Sequence, residues 1–170
     1  MEGTIATITF KGNPLALTGT QPKVGEPAPD FEVLANDLSA VKLSGLRGKV
    51  CVICSVPSLD TPVCDTEVRR FNERAVSLGD DVAVLTISMD LPFAQQRWCG
   101  AAAVENVQTL SDHRNAEFGT RYGVLIEGLR LLARAVFVVD KEGLIRYIEV
   151  VDELTNEPDY EGALKAVTDL

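Results

Sequence analysis

The chain has 170 residues, of which 46% are hydrophobic and 24% charged, enough apolar sequence for one domain spanning 1–170 with a core that needs no disulfide or metal staples. Sixteen Lys and Arg against 25 Asp and Glu leave a net charge of −9, which repels nucleic acid and anionic membrane surfaces rather than recruiting them. The opening Met1-Glu2-Gly3-Thr4 has no basic region followed by an apolar stretch, and no run of eighteen apolar residues occurs anywhere, so a soluble, cytoplasmic protein is expected.

Thr4 to Phe10 and Leu15 to Gly19 flank Lys11-Gly12-Asn13-Pro14, whose glycine and proline predict an N-terminal hairpin, residues 1–20, as an appendage to the main sheet. Gln21 to Pro29 holds three prolines and reads as a linker, followed by short strands at Phe31 to Leu34 and Val41 to Leu43. The almost wholly apolar Val50 to Val56, a helix from Cys64 to Leu78, and Val82 to Ser88 make a β-α-β unit with parallel strands and a right-handed crossover. A second helix is predicted from Phe93 to Val104, then a short strand at Val107 to Leu110 and a loop-helix region through Phe118. Ala133 to Val139 and Leu144 to Val150 surround the turn Asp140-Lys141-Glu142-Gly143, and Tyr160 to Val167 is a last amphipathic helix. Strand-helix-strand followed by hairpin-helix, with a mixed sheet covered on both faces, is the order of an α/β, thioredoxin-like fold.

Thr61 reads as the N-cap of the first helix and Pro62 as its first residue, which delivers Cys64 into the first turn among unpaired N–H groups. Those groups and the helix dipole favour negative charge, the setting of a reactive thiolate. Cys64, Val68, Phe71, Ala75 and Leu78 also recur at helical spacing, which leaves a buried structural cysteine as the competing reading. Cys51 and Cys54 have C-x-x-C spacing, yet residues three apart on a strand face opposite sides of the sheet, so both are expected in the core. Zinc would need two further ligands, and His113 is the single histidine. His113 reads as a loop residue, with a Cys-His hydrolase pair as the alternative. Cys99 sits beside the apolar stripe Ala94, Trp98 and Ala101 or Ala102, free to act as a second thiol or to be an exposed bystander.

Pro57-x-x-x-Thr61-x-x-Cys64 resembles the active-site pattern of the peroxiredoxins, approached by Gly25-Glu26-Pro27-Ala28-Pro29-Asp30-Phe31 and Leu46-Arg47-Gly48-Lys49. Asp90-Leu91-Pro92-Phe93-Ala94-Gln95, Cys99-Gly100, Arg114-Asn115-Ala116-Glu117-Phe118 and Ala133-Arg134-Ala135-Val136 are similar to the atypical two-cysteine branch of that family, the bacterial thiol peroxidases. The resemblance covers nearly the whole chain. It implies that Cys64 attacks hydrogen peroxide or an organic hydroperoxide and becomes a sulfenic acid. Cys99 would then resolve it as an intrachain disulfide, which thioredoxin reduces. It further implies that Thr61 hydrogen-bonds thiolate and peroxide, that Arg134 supplies positive charge, that Pro57 shields the thiolate from water, that local unfolding accompanies turnover, and that the protein is a homodimer. No metal, haem or flavin is implied. Cys51 and Cys54 are additions to the family pattern. A non-enzymatic redox sensor is the alternative, and a dithiol-disulfide oxidoreductase ranks behind it, because its C-x-x-C belongs at a helix start.

Overall fold

The computed structural model describes residues 6–170, so Thr4 and Ile5, assigned above to the first strand, lie outside the described residues. β1 (Thr7–Phe10) and β2 (Asn13–Thr18) form the antiparallel hairpin, closed by Lys11 and Gly12 at φ 51° and 83°. Positive φ at both positions is what a two-residue turn matching the strand twist requires. β3 (Glu32–Leu34) and β4 (Ala40–Lys42) precede the central strand β5 (Val50–Ser55). Then come α1 (Pro62–Ala75) with a tighter helical turn at Val76–Leu78, β6 (Val82–Ser88), α2 (Pro92–Ala102), β7 (Gln108–Ser111) and α3 (Glu117–Arg121). β8 (Leu125–Ile126), β9 (Leu131–Leu132), β10 (Ala135–Val139), β11 (Ile145–Val150) and α4 (Tyr160–Thr168) complete the chain.

Among the described residues the strands make a seven-stranded sheet, β11-β10-β5-β6-β7-β3-β4, and a four-stranded sheet, β1-β2-β8-β9. β5, buried along its whole length, is parallel to β6 and antiparallel to β10. Its two-residue period divides the core. Cys51 and Ile53 join Phe31, Phe118, Tyr122 and Phe137 on one face, whereas Val52 and Cys54 join Cys64, Val68 and Phe71 of α1 and Ala163 and Val167 of α4 on the other. Each buried Val or Phe on that α1 stripe contributes about 1.5–3 kcal/mol by leaving water, which fixes α1 against the sheet. Cys51 and Cys54 therefore lie on opposite faces, as their strand spacing demands, and cannot form a C-x-x-C site. Burial pushes the Cys51 thiol up to about 11, and burial together with the charge of Glu67 raises Cys54 well above the ordinary thiol range.

The hairpin is built into the core rather than appended to it. Ile8 and Leu17 are buried with Phe31, and the Thr9 N–H donates to the Asp152 carbonyl at 2.7 Å while Leu154 N–H donates to the Thr9 carbonyl at 2.8 Å. β8 and β9 have no counterpart in the sequence reading. Strands of two residues carry no alternation to read, and this pair is held by β2, with Leu17 opposite Ile126.

The register of β5 against β10 positions the site. Ala135 lies opposite Ser55, and the Ser55 hydroxyl donates to the Ala133 carbonyl at 2.7 Å, so Arg134 stands beside the point where β5 ends and the chain turns into α1.

Candidate active site

Between β5 and α1 the chain runs through a loop whose Pro57 and Leu59 are buried. Thr61 caps α1 by accepting the Cys64 N–H on its hydroxyl oxygen at 3.3 Å, and Pro62 occupies the first helical position, where a missing N–H costs nothing. The loop is also held from outside. The Asp90 carboxylate, just beyond β6, accepts the Ser58 hydroxyl at 2.8 Å on one oxygen, and the Leu59 N–H and the Ser88 hydroxyl, both at 2.8 Å, on the other. The ends of two neighbouring parallel strands thus fix the loop that presents Cys64.

The Cys64 side chain is 0% exposed, and its sulfur accepts a hydrogen bond from Arg134 Nη1 at 3.4 Å. Arg134 is itself 1% exposed and fully engaged: Nη1 also donates to Glu67 Oε2 at 2.6 Å, and Nε and Nη2 donate to the Leu154 carbonyl at 3.2 and 2.9 Å. Burial opposes the Arg134 charge, but Glu67 and then Cys64 outweigh it and raise its pKa above the ordinary guanidinium value. Glu67 is one turn beyond Cys64 and equally buried. Burial pushes its carboxyl up to about 7 against the pull of Arg134, and its Oε1 has no hydrogen-bond partner among the described residues. One guanidinium therefore serves two acidic side chains in a buried pocket. A permanent cation aimed at a sulfur on a helix N-terminus stabilises a thiolate and any oxyanion formed beside it.

Of the residues singled out from the sequence, Pro57, Thr61, Cys64 and Arg134 come together here. Thr61 differs in detail from the role implied by the resemblance: its hydroxyl donates to the Ser58 carbonyl at 3.3 Å and accepts the Cys64 N–H, so in this structure its hydrogen bonds go to backbone and not to the sulfur. Cys99 is on a different helix, and all four cysteines are free thiols. The inward side of α2 is formed by Pro92, Gln95, Trp98, Cys99 and Ala102, while Ala94 and Ala101 are exposed. The stripe assumed from Ala94 and Ala101 is thus displaced, because the buried polar Gln95 sets the face: its side-chain amide donates to the Ser88 hydroxyl at 2.9 Å and the Leu110 carbonyl at 2.8 Å. Cys99 is on this inner side, its sulfur 3.3 Å from the Thr109 hydroxyl, at the edge of a groove of about 620 Å³ that Asn36, Val104 and Thr109 also line. His113 is half-buried after β7, its N–H donating to the Ser111 hydroxyl, with no hydrogen bond to Cys64.

Two residues of the site escaped the sequence reading. Glu67 has a local signal, since Cys64, Glu67, Val68 and Phe71 share one helical face and a carboxylate there requires a buried cation. Asp90 opens one of the stretches that carry the family resemblance, but nothing local announces its role, because its partners Ser58 and Leu59 lie about thirty residues away on another connection. A surface groove of about 940 Å³ is lined by Val50 and Val82, the first residues of β5 and β6, and so opens at the opposite end of the strands from the Cys64 loop. No helix among the described residues is long and apolar enough to cross a membrane.

Comparison with known proteins agrees with this geometry. Residues 23–164 match the Redoxin family. The thiol peroxidase of Halalkalibacterium halodurans is 59% identical over 162 residues, covering 95% of this chain and 97% of that protein, and that of Bacillus subtilis is 56% identical over 95% and 96%. A solved peroxiredoxin-like protein from Aquifex aeolicus superposes with a TM-score of 0.90 at 44% identity, covering 98% of this chain and 99% of that one. The thiol peroxidase from Chromobacterium violaceum shares the fold, with a TM-score of 0.85 at 20% identity over 96% and 95% of the two chains. With a cysteine on a capped helix N-terminus facing a buried arginine, and with relatives of this likeness along nearly its full length, the chain belongs to the redoxin family, on its thiol peroxidase branch.

Proposed function

We propose that this chain reduces hydrogen peroxide and organic hydroperoxides, with Cys64 as the peroxidatic nucleophile and Cys99 as the resolving thiol. The observation that carries the reading is the Arg134 Nη1 to Cys64 Sγ hydrogen bond of 3.4 Å behind the Thr61 cap. The Cys64 thiolate attacks the terminal peroxide oxygen, the O–O bond breaks, and the departing alkoxide or hydroxide takes a proton to leave as alcohol or water. Arg134 offsets charge on sulfur and on the developing oxyanion, and buried Pro57 keeps bulk water away. The Cys99 thiol then attacks the sulfur of the Cys64 sulfenic acid, expels water and forms an intrachain disulfide. Two electrons from a dithiol return both cysteines to thiols, and thioredoxin is the reductant we assign. Thr61 acts by holding the first turn of α1, and its hydroxyl swings to the peroxide on binding. Leu91 and Phe93, 53% and 66% exposed beside the Asp90 that holds the loop, offer apolar surface for an alkyl chain.

The catalytic unit is read as one domain spanning 1–170, homodimeric and cytoplasmic. The test is single turnover of the reduced protein with one equivalent of cumene hydroperoxide, followed by peptide mapping. A Cys64–Cys99 disulfide in the wild type, a trapped Cys64 sulfenic acid in Cys99→Ser and no oxidation in Cys64→Ser are expected. Equal behaviour of the two variants refutes the roles. Sustained turnover with thioredoxin separates the enzyme from a one-shot redox sensor, and sedimentation measures the dimer.

A further inference from the structure

We infer that Asp65 is a positioning residue for disulfide formation: through Trp98 it holds the Cys99-bearing turns of α2 in helical form and so sets how fast Cys99 reaches an oxidised Cys64. The inference rests on the roles proposed above for the two cysteines and adds a residue that touches neither.

Asp65 and Trp98 are the chain neighbours of the two cysteines, and they are bonded to each other. Trp98 Nε1 donates to Asp65 Oδ1 at 3.0 Å, and the other carboxylate oxygen accepts from Arg69 Nε at 2.9 Å. The Arg69 guanidinium stands 5.7 Å from the Trp98 ring centroid, and its Nη1 donates at 3.5 Å to the carbonyl of Ala102, the last residue of α2. One carboxylate and one guanidinium of α1 thus engage the indole and a terminal carbonyl that the helix itself leaves unpaired. The end of α2 is also closed by its own backbone, with the Ala103 and Val104 N–H groups donating to the Cys99 carbonyl, and by packing of Ala102 and Val104 against the core, but among the described residues no other side chain bonds its last carbonyls. It has no basic residue in its last turn, and its C-cap, Ala103, is a non-glycine residue at φ 54°. Gln95 anchors only the first turn, to Ser88 and Leu110.

The Cys99 thiol points the other way, to Thr109, whose own hydroxyl donates to Asn36 Oδ1 at 3.1 Å. A disulfide needs Cα atoms within about 4.4–6.8 Å and S–S contact, while Cys64 is fully buried in the first turn of α1, against the sheet. On this proposal the second half of α2 uncoils to bring the sulfurs together, and the Trp98 to Asp65 bond breaks with it. The step balances without a further reactant: Cys64 S–OH and Cys99 S–H give the S–S bond and one water. While the clamp holds, the sulfenic acid stays available to a second peroxide, which converts it to sulfinic acid.

The experiment mixes the reduced full-length protein with hydrogen peroxide, quenches by rapid alkylation, and follows Cys64 thiol, Cys64–Cys99 disulfide and sulfinic acid by mass spectrometry. Wild type, Asp65→Ala, Trp98→Phe, the double variant and Asp65→Asn are compared. Loss of the Cys64 thiol should keep its rate within about 2-fold, while disulfide formation should accelerate about 5- to 10-fold in either single variant, the size of a released hydrogen bond or two. The double variant should gain no more than a single one, because both remove one interaction. Asp65→Asn, which keeps the acceptor for Trp98, should return most of the wild-type rate, and sulfinic acid should fall wherever the disulfide forms faster. Trp98→Phe keeps an aromatic ring in place, so a folding failure of Asp65→Ala does not remove the test. Disulfide formation that is unchanged or slower in Asp65→Ala and Trp98→Phe, with a normal disulfide in the wild type, overturns the clamp alone. A wild type that forms no Cys64–Cys99 disulfide overturns the parent assignment and the clamp with it.

Discussion

Replacing Arg134 by methionine separates what the buried arginine does for the fold from what it does for the thiolate. The substitution removes the donor 3.4 Å from Cys64 Sγ, leaves the Leu154 carbonyl without two donors, and strands Glu67. At 3.4 Å and an effective dielectric of about 20, the lost attraction to a thiolate is about 5 kcal/mol gross. After rehydration and loop relaxation a loss of about 10²- to 10³-fold in the rate with peroxide is expected, the usual size for one preorganised donor. Stability has a separate signature. Glu67 is held at about 7 even with Arg134 present, against 4.5 for the free carboxyl. Without Arg134 its folded-state value rises further, so the folded protein binds a proton that the unfolded chain releases. Stability from this group is then fully present below about 4.5 and lost as pH rises through about 7 and beyond. Adding Glu67→Gln removes that liability. At pH 7 the double variant Arg134→Met/Glu67→Gln should be more stable than Arg134→Met by on the order of 3 kcal/mol, with the difference nearly gone at pH 4.5. Urea midpoints at the two pH values read the stability, and stopped-flow oxidation reads the rate, which the double variant should not regain. Equal stabilities at pH 7, or recovery of the rate, would refute the reasoning.

Asp90→Ala should free the Ser58–Leu59 loop, costing about 1–3 kcal/mol for the donors left without an acceptor and slowing Cys64 oxidation about 10-fold, as measured by urea unfolding and peroxide consumption. Thr61→Val should lower stability by about 1 kcal/mol through the lost cap and slow the first oxidation, while Thr61→Ser retains both; thermal unfolding beside single-turnover kinetics distinguishes the pair. Cys51 and Cys54, buried and with their thiols pushed well up, should stay unlabelled by iodoacetamide at pH 8 until the protein is unfolded, as peptide mapping would show. Rapid labelling of either in the native state would contradict their place in the core.

Much of this fold is written locally. The alternation and apolar runs of Val50–Ser55, Val82–Ser88 and Ala135–Val139 and the Thr61-Pro62 helix start are short-range signals, and the strands and helix they announce are present. Legibility fails where tertiary pairing does the work. Leu125–Ile126 and Leu131–Leu132 become strands because β2 offers a partner, and Gln95 turns α2 onto a face that a hydrophobic stripe does not announce. The site divides in the same way. Cys64 and Thr61 are legible three residues apart, but Arg134 lies seventy residues from Cys64 and acquires its neighbours from the register of β5 against β10. Its role follows from resemblance to a family, not from spacing, and Glu67, which shares its charge, does not stand out because a glutamate on a helix is usually a solvated one.

On the function proposed, Cys64 is held ready for peroxide by Arg134 and the start of α1. Trp98 is the single tryptophan, adjoins Cys99 and bonds to Asp65, so its fluorescence reports on both helices. Mixing the reduced protein with one equivalent of cumene hydroperoxide in a stopped-flow instrument should give a fast change whose rate rises in proportion to peroxide, exceeds that of a free thiol at the same pH by at least roughly 10³-fold, and is absent in Cys64→Ser. A change no faster than that of free cysteine, or one that survives in Cys64→Ser, would contradict the account.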